Sequence, residues 1–324
     1  MTEQERITGF VREIETWYHR HKRELPWRDL EIADDTKRAY RILVSEVMLQ
    51  QTQVSRVKIV FRDFIERFAE IEHLAQATNA QVILAWRGMG YNARALRLRD
   101  AARTVLQDHQ GFFPQEMDQL LSIKGIGPYT AAAIRNFAFH LPTPCIDTNI
   151  RRILHRTFIG PERADGTWDK SDRELLIIAR EVLDAAVSRG IDPADWHAAL
   201  MDFGSLVQTK GNPRWDICPL TLKGLMKTNQ KNFPVTSRSS LLVSRSPEPG
   251  RLSGGRHIPN RIFRGRVVEA LREAPKGLTL EQIGSHICND WETAHRAWLQ
   301  GIVDRLTKET ILAKRGKRFM LADG

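Results

Sequence analysis

A chain of 324 residues has the length for two domains, of ordinary size or one large and one small, each with its own core. Its 49 Lys and Arg against 39 Asp and Glu leave a net charge of +10, which favours a polyanionic partner, nucleic acid above all. Three isolated cysteines, Cys145, Cys218 and Cys288, predict neither a disulfide framework nor a metal site, and with no run of about 18 apolar residues the sequence reads as soluble and intracellular, with no membrane partner; a monomer is expected.

From Thr8 to about Gln230 the chain reads as successive amphipathic helices. Apolar residues recur at three and four rather than at two, as over 57–68, 93–106, 130–139 and 173–186, and Gly or Pro marks many of the gaps. This predicts a helical domain over 1–230. The composition then shifts: PVTSRSS and SRSPEPGRLSGGR are too polar to bury a core and too broken for a helix, which predicts a flexible linker over 231–260. A small domain over 261–324 follows. It has a helix at 261–272, a turn at Pro275-Lys276-Gly277, a strand running into a helix over 279–287 and a long amphipathic helix over 291–308. The tail ILAKRGKRFML has two apolar arms around a basic turn, a hairpin signal. Helix, helix, helix, hairpin is the order of an α+β winged-helix module. Its basic wing would contact DNA phosphates, unless the module serves protein contacts or packing.

Three stretches carry chemistry. SEVMLQQTQV sets the apolar Val47, Met48, Leu49 and Val54 on an amphipathic helix with one acid, Glu46, and a polar run from Gln50 to Gln53 that has no basic partner. In LLSIKGIGPYTAAAI, Gly125 and Gly127 separate two helical patterns by a turn too tight for side chains. The second helix therefore opens with backbone amides directed outward, which suit a phosphate. The whole pattern from Lys124 to Thr130 resembles the helix-hairpin-helix that grips DNA without reading its sequence. In CIDTNIRRIL, Asp147 precedes an amphipathic helix, and on position alone it is an ordinary N-cap.

With LPWR at 25–28 and GMGYNARALRL at 88–98, these motifs resemble the endonuclease III-like DNA glycosylases, and most of all their MutY branch, which acts on adenine opposite 8-oxoguanine. The resemblance covers about residues 9–220. It implies an all-α, two-lobed helix-hairpin-helix glycosylase domain, here followed by the linker and winged helix. The implied partner is double-stranded DNA with a mismatched or damaged base, and the implied location is cytoplasmic, or nucleoid-associated in a bacterium or archaeon. Cleaving an N-glycosidic bond needs a proton on the leaving base and a shield for the sugar cation. The resemblance gives the first task to Glu46, with its pKa raised by burial, and the second to Asp147, supported by Asn149. A base must also be flipped out of the duplex and the gap filled. Gln51 is the implied wedge, with Leu49 and Thr52 beside it and Tyr91 entering from the other side. Lys124, Gly125, Gly127 and Thr130 would hold the DNA backbone, and the hairpin leaves a place for a monovalent cation. Arg23, Leu25, Trp27, Arg28 and Ala198 match positions lining the base pocket. Tyr129 stands where lyase members place a Schiff-base lysine, and since tyrosine forms no imine, a monofunctional enzyme is expected.

Three departures from the family matter. Gln208, Trp215, Cys218 and Gly224 stand at its four iron-sulfur cysteines, and one thiolate does not hold a cluster. No cofactor is therefore expected, and packing by Trp215 and Ile217 would hold the loop. A winged-helix module is expected in place of the family's MutT-like C-terminal domain, which reads the opposite base. Ala198 replaces a Glu or Gln facing the adenine edge, which keeps open a thymine or uracil glycosylase acting on T·G and U·G pairs. A reading of another class is a non-catalytic DNA-damage-binding protein, against which both acids argue.

Overall fold

The computed structural model describes residues 1–28, 31–233 and 248–323. Twelve helices come first among them: α1 (Glu3–His21), α2 (Asp35–Leu49), α3 (Val54–Arg67), α4 (Ile71–Gln76), α5 (Asn79–Ala85), α6 (Ala93–Asp108), α7 (Met117–Ser122), α8 (Pro128–Phe139), α9 (Thr148–Leu154), α10 (Asp172–Ser188), α11 (Pro193–Leu206) and α12 (Pro219–Leu222). The C-terminal region follows as β1 (Gly250–Ser253), β2 (Arg256–Pro259), α13 (Asn260–Arg272), β3 (Leu278–Thr279), α14 (Leu280–Ile287), α15 (Arg296–Lys308), β4 (Leu312–Arg315) and β5 (Arg318–Leu321). Over the described part of 1–233 no strand occurs, as the three-and-four periodicity predicts.

The described residues form two compact units, 1–43 with 113–233, and 44–112 with 248–323. This corrects the expected division at the linker. The physical reason lies in Ile83 of α5 and Leu96 of α6, which are buried in the same apolar cluster as Phe263, Val267, Leu299 and Phe319 of the C-terminal region. The expected linker over 231–260 is also shorter at its end: Gly250–Ser253 pairs with Arg256–Pro259 in an antiparallel hairpin turned by Gly254 and Gly255, both at positive φ. Residues 234–247 of that linker lie outside the described residues.

In the first unit, a capping box between Thr2 and Glu5 starts α1, and its apolar stripe of Phe10, Ile14 and Trp17 is buried against α10 and α11. Aromatic rings meet edge to face there, Phe10 with Phe158 at 5.3 Å and Trp17 with Phe203 at 5.1 Å. Burying each such ring removes apolar area worth about 1.5–3 kcal/mol. This core anchors α8, α9 and α11, from which or beside which the chemistry-bearing residues project.

In the second unit, Phe64 of α3 packs edge-on against Trp86 at 5.8 Å. In the C-terminal region α13, α14 and α15 cover an antiparallel sheet of order β3-β5-β4, with Leu278 opposite Phe319 and Leu312 opposite Leu321. Gly277 turns the chain into β3 at φ +73°, and a Cβ there would stand 2.7 Å from the Phe319 carbonyl oxygen. The expected long helix over 291–308 starts later, at Arg296 after a 3₁₀ turn at Thr293–His295. Trp291 instead lies against α14 at Gly284, where no side chain would fit.

Candidate active site

Asp147 opens α9 in an extended conformation, and its two carboxylate oxygens have different tasks. Oδ1 accepts the Ile150 amide at 2.6 Å, which makes the residue an N-cap, while Oδ2 accepts Asn149 Nδ2 at 3.0 Å. Capping therefore uses one oxygen and leaves the other oriented by a neighbour. Burial pushes the carboxyl up from its ordinary range, against the pull of these hydrogen bonds and of Arg152.

Asn149 is itself fixed. Its Oδ1 accepts Arg152 Nη2 at 2.7 Å, and Arg152 also donates to the carbonyl oxygens of Gly204 at 2.6 Å and of Gln208. Burial and the neighbouring Arg156 lower Arg152 to about 10, so it stays a cation. Gly204 lets α11 meet α9, since a Cβ on it would reach Asn149 Cβ at 2.5 Å.

The same turn of α11 holds LPWR. Asp202 is fully buried, and it accepts Arg23 Nε at 2.7 Å and Arg28 Nη1 at 2.9 Å, as well as the Arg23 amide at 3.0 Å. Arg23 thus serves as an ion-pair partner of Asp202 and does not line the neighbouring cleft. Leu25 is buried and does not line the neighbouring cleft. Trp27, Arg28 and Ala198 do line it, within a volume of about 390 Å³ that Tyr18, Glu31 and Phe137 share.

The hairpin between α7 and α8 has the expected form. Gly125 turns at φ +100°, Gly127 caps α8 in an extended conformation, and Pro128 takes the first helical position. Lys124 and Gly125 are exposed, and Tyr129 is half-buried against the core of the first unit. Thr130, expected to help hold the DNA backbone, is buried at 4% exposure.

In the second unit Glu46 is buried on α2, Leu49 and Thr52 are half-buried, and Gln51 and Tyr91 are exposed. Gln51 and Tyr91 share a backbone conformation, with φ of 56° and 46°. One arginine that the sequence reading missed holds both. Buried Arg94 of α6 donates to the carbonyl oxygens of Val47 at 2.9 Å and Gln50 on one side, and of Met89 at 3.1 Å and Gly90 at 3.4 Å on the other. Its Nη2 also reaches Thr52 Oγ1 at 3.1 Å. The orphan carbonyls ending α2 are thereby satisfied, and the GMGY loop is tied to them.

The residues that the resemblance matches to cluster positions make other contacts. Gln208 and Cys218 are buried, with Gln208 Nε2 3.4 Å from Cys218 Sγ and 3.6 Å from Met226 Sδ. Arg156 donates to Gln208 Oε1 at 3.1 Å and to the Thr209 carbonyl at 2.9 Å. This donor set does not fit an iron-sulfur cluster, and no group of three metal-ligating side chains occurs among the described residues. Trp215 packs on Phe233 at 5.5 Å, whereas Ile217, expected to help hold the loop, is exposed.

Asp202, Gly204, Arg152 and Arg94 are the residues that sequence reasoning missed. A lone acid inside the apolar run WHAALMDFG was the available signal for Asp202, since a charge on a buried helix face needs a partner.

Residues 44–176 match the model of the HhH-GPD superfamily of base excision DNA repair proteins. The adenine DNA glycosylase of Mycolicibacterium smegmatis is 33% identical over 298 residues, 92% of each chain. That of Mus musculus is 36% identical over 218 residues, 66% of this chain and 41% of the mouse protein. The solved structure of a thermostable thymine-DNA glycosylase superposes with a TM-score of 0.59 at 25% identity, covering 69% of this chain and 96% of that one. The alignment over 298 residues is longer than the resemblance at 9–220 and reaches into the C-terminal region.

Proposed function

The chain belongs to the HhH-GPD superfamily of base excision DNA repair proteins, and from that premise we propose that it is an adenine DNA glycosylase. It hydrolyses the N-glycosidic bond of adenine mispaired with guanine or 8-oxoguanine. The observation that carries the reading is Asp147, a half-buried acid with one oxygen capping α9 and the other aligned by Asn149. A carboxylate so restrained suits the stabilisation of a sugar cation.

Glu46, buried in α2, gives its proton to adenine N7. The C1′–N9 bond then breaks with its electron pair leaving on the base, and Asp147 faces the cation at C1′. Water adds to C1′ and loses a proton, which the Glu46 carboxylate accepts, while the first proton leaves with adenine. Tyr129 offers no amine for an imine, so the product is an abasic site and the enzyme is monofunctional. Gln51 and Tyr91 fill the space vacated by the extruded base, and the exposed turn at Lys124 and Gly125 meets the DNA backbone.

The enzyme works without an iron-sulfur cluster, a reading supported by the Arg156–Gln208 contacts that hold the loop. The C-terminal region is a winged helix, supported by the order α13, β3, α14, α15, β4, β5 and by the central position of β5 in the sheet. Its wing carries Lys314, Arg315, Lys317 and Arg318 around the turn of β4 and β5, charges suited to DNA phosphates.

A second reading, excision of thymine or uracil opposite guanine, draws on Ala198, whose methyl group offers the base edge no hydrogen bond, and on the likeness to a thymine-DNA glycosylase. Duplexes with one A·8-oxoguanine, A·G, T·G or U·G pair, treated with the protein and then with alkali, separate the two. Strand breaks on the adenine duplexes alone support the adenine reading. Breaks confined to T·G and U·G establish the second, and none on any duplex removes both.

A further inference from the structure

Arg272 ends α13, yet its guanidinium serves another part of the second unit. At 5% side-chain exposure, it donates from Nη2 to the Ile83 carbonyl at 2.9 Å and to Asn92 Oδ1 at 3.1 Å. Its Nη1 pairs with Glu269 at 2.5 Å, and Glu269 in turn accepts Arg87 Nε at 3.2 Å. A buried guanidinium is costly unless its donors are used, so this contact fixes whatever accepts it.

What accepts it is the residue after Tyr91. Asn92 stands at the N-cap of α6, a position where asparagine ordinarily accepts an amide of its own helix. Here its side chain caps nothing, and its oxygen goes to Arg272. Tyr91, half-exposed at φ 46°, is thus bracketed. Arg94 holds the carbonyls of Met89 and Gly90 before it, and Arg272 holds Asn92 after it. A non-glycine residue in this conformation is disfavoured by about 1–2 kcal/mol and persists only where its surroundings over-determine it.

We propose that Arg272 is a positioning residue, through which the C-terminal region holds Asn92 and keeps Tyr91 set for insertion into the base stack. The proposal rests on the reading of Tyr91 as an inserting residue. The role of the C-terminal region is then to preset the loop that replaces the extruded base, in addition to any contact with phosphates.

The test uses the full chain carrying Arg272→Met, which keeps the apolar stem. Asn79→Ala is the comparison, because it removes a different contact with the C-terminal region, the donation from Asn79 to the Thr310 carbonyl at 2.6 Å. Hydrogen exchange is read at the Arg94 and Ala95 amides, which bond to the carbonyls of Tyr91 and Asn92. It should quicken by about tenfold or more in Arg272→Met and stay unchanged in Asn79→Ala. Single-turnover cleavage should fall by about tenfold for adenine opposite guanine and by less than about twofold for adenine opposite an abasic-site analogue, where the base is already unpaired. Equal loss on both duplexes, or unchanged exchange, overturns the proposal. Wild-type protein that cleaves neither duplex sinks the function itself, which the exchange data keep distinct from failure of the Arg272 contact.

Discussion

Gly204 and Asn149 approach so closely that a Cβ on the glycine would stand 2.5 Å from the Cβ of the asparagine. Because Asn149 Nδ2 holds Asp147 Oδ2 at 3.0 Å, the space left by a missing side chain on α11 sets the position of the acid on α9. Gly204→Ala must displace Asn149, and with it Asp147. Single-turnover cleavage should fall by about 10–100-fold, as expected for a misplaced reacting group, with the helical circular dichroism kept. The same substitution at Gly301, which faces open space inside α15, should leave cleavage unchanged and raise stability by about 0.5–1 kcal/mol. Full activity in Gly204→Ala would separate Asn149 from the mechanism.

Asp147→Asn should abolish turnover while leaving DNA binding intact. It should also stabilise the protein, and the sign follows from burial. Because the carboxyl is pushed up in the folded state, ionising it favours the unfolded chain. That penalty is absent in acid, below the unfolded pKa, and is fully present once the pH exceeds the folded one. The amide still caps Ile150 through its oxygen. Denaturation midpoints should therefore favour the variant at pH 7 and converge as the pH falls below about 4. A variant less stable at neutral pH would show that the hydrogen bonds outweigh burial.

Asp202 joins two motifs that the sequence separates by 174 residues or more. Asp202→Ala leaves Arg23 and Arg28 without their shared carboxylate, and breaking such a buried pair costs about 3–5 kcal/mol. The urea midpoint should fall accordingly. Restoring neutrality with Arg28→Met in the same chain should recover part of the loss, and purely additive losses would mean that the pair is not the source.

Much of the candidate site was legible because its chemistry is local. KGIGPYT specifies its own turn, with positive φ at Gly125 and Pro128 opening α8, and IDTN specifies its own cap. The helical fold of 1–233 was legible for the same reason, since periodicity reports one helix face at a time. What stayed hidden depends on partners distant in sequence. Arg94 reads as one more basic residue in NARALRL until the ends of α2 and of the GMGY loop meet it. The division into units was hidden likewise: nothing local in α5 or α6 says that Ile83 and Leu96 complete the core of a region beginning after residue 247. Thr130 and Ile217 exchanged places with expectation, one buried and one exposed, because position within a motif does not fix which way a helix or loop turns.

Gln51 offers the sharpest division between stability and function. Its φ of 56° is a conformation that costs an ordinary residue about 1–2 kcal/mol, and glycine adopts it freely. Gly in the unfolded chain gives back about 0.5–1 kcal/mol of that gain, so Gln51→Gly should be as stable as the parent or more stable by up to about 1 kcal/mol. The same change removes the side chain assigned to fill the base stack. Excision of paired adenine should therefore fall, by about tenfold or more, while adenine in a single strand, with no stack to fill, is cut at an unchanged rate. Thermal melting and the two cleavage rates measured on one preparation decide it. A destabilised variant would mean that the Gln51 side chain holds the end of α2, and equal cleavage of paired adenine would leave the exposed polar run as a solvated helix end.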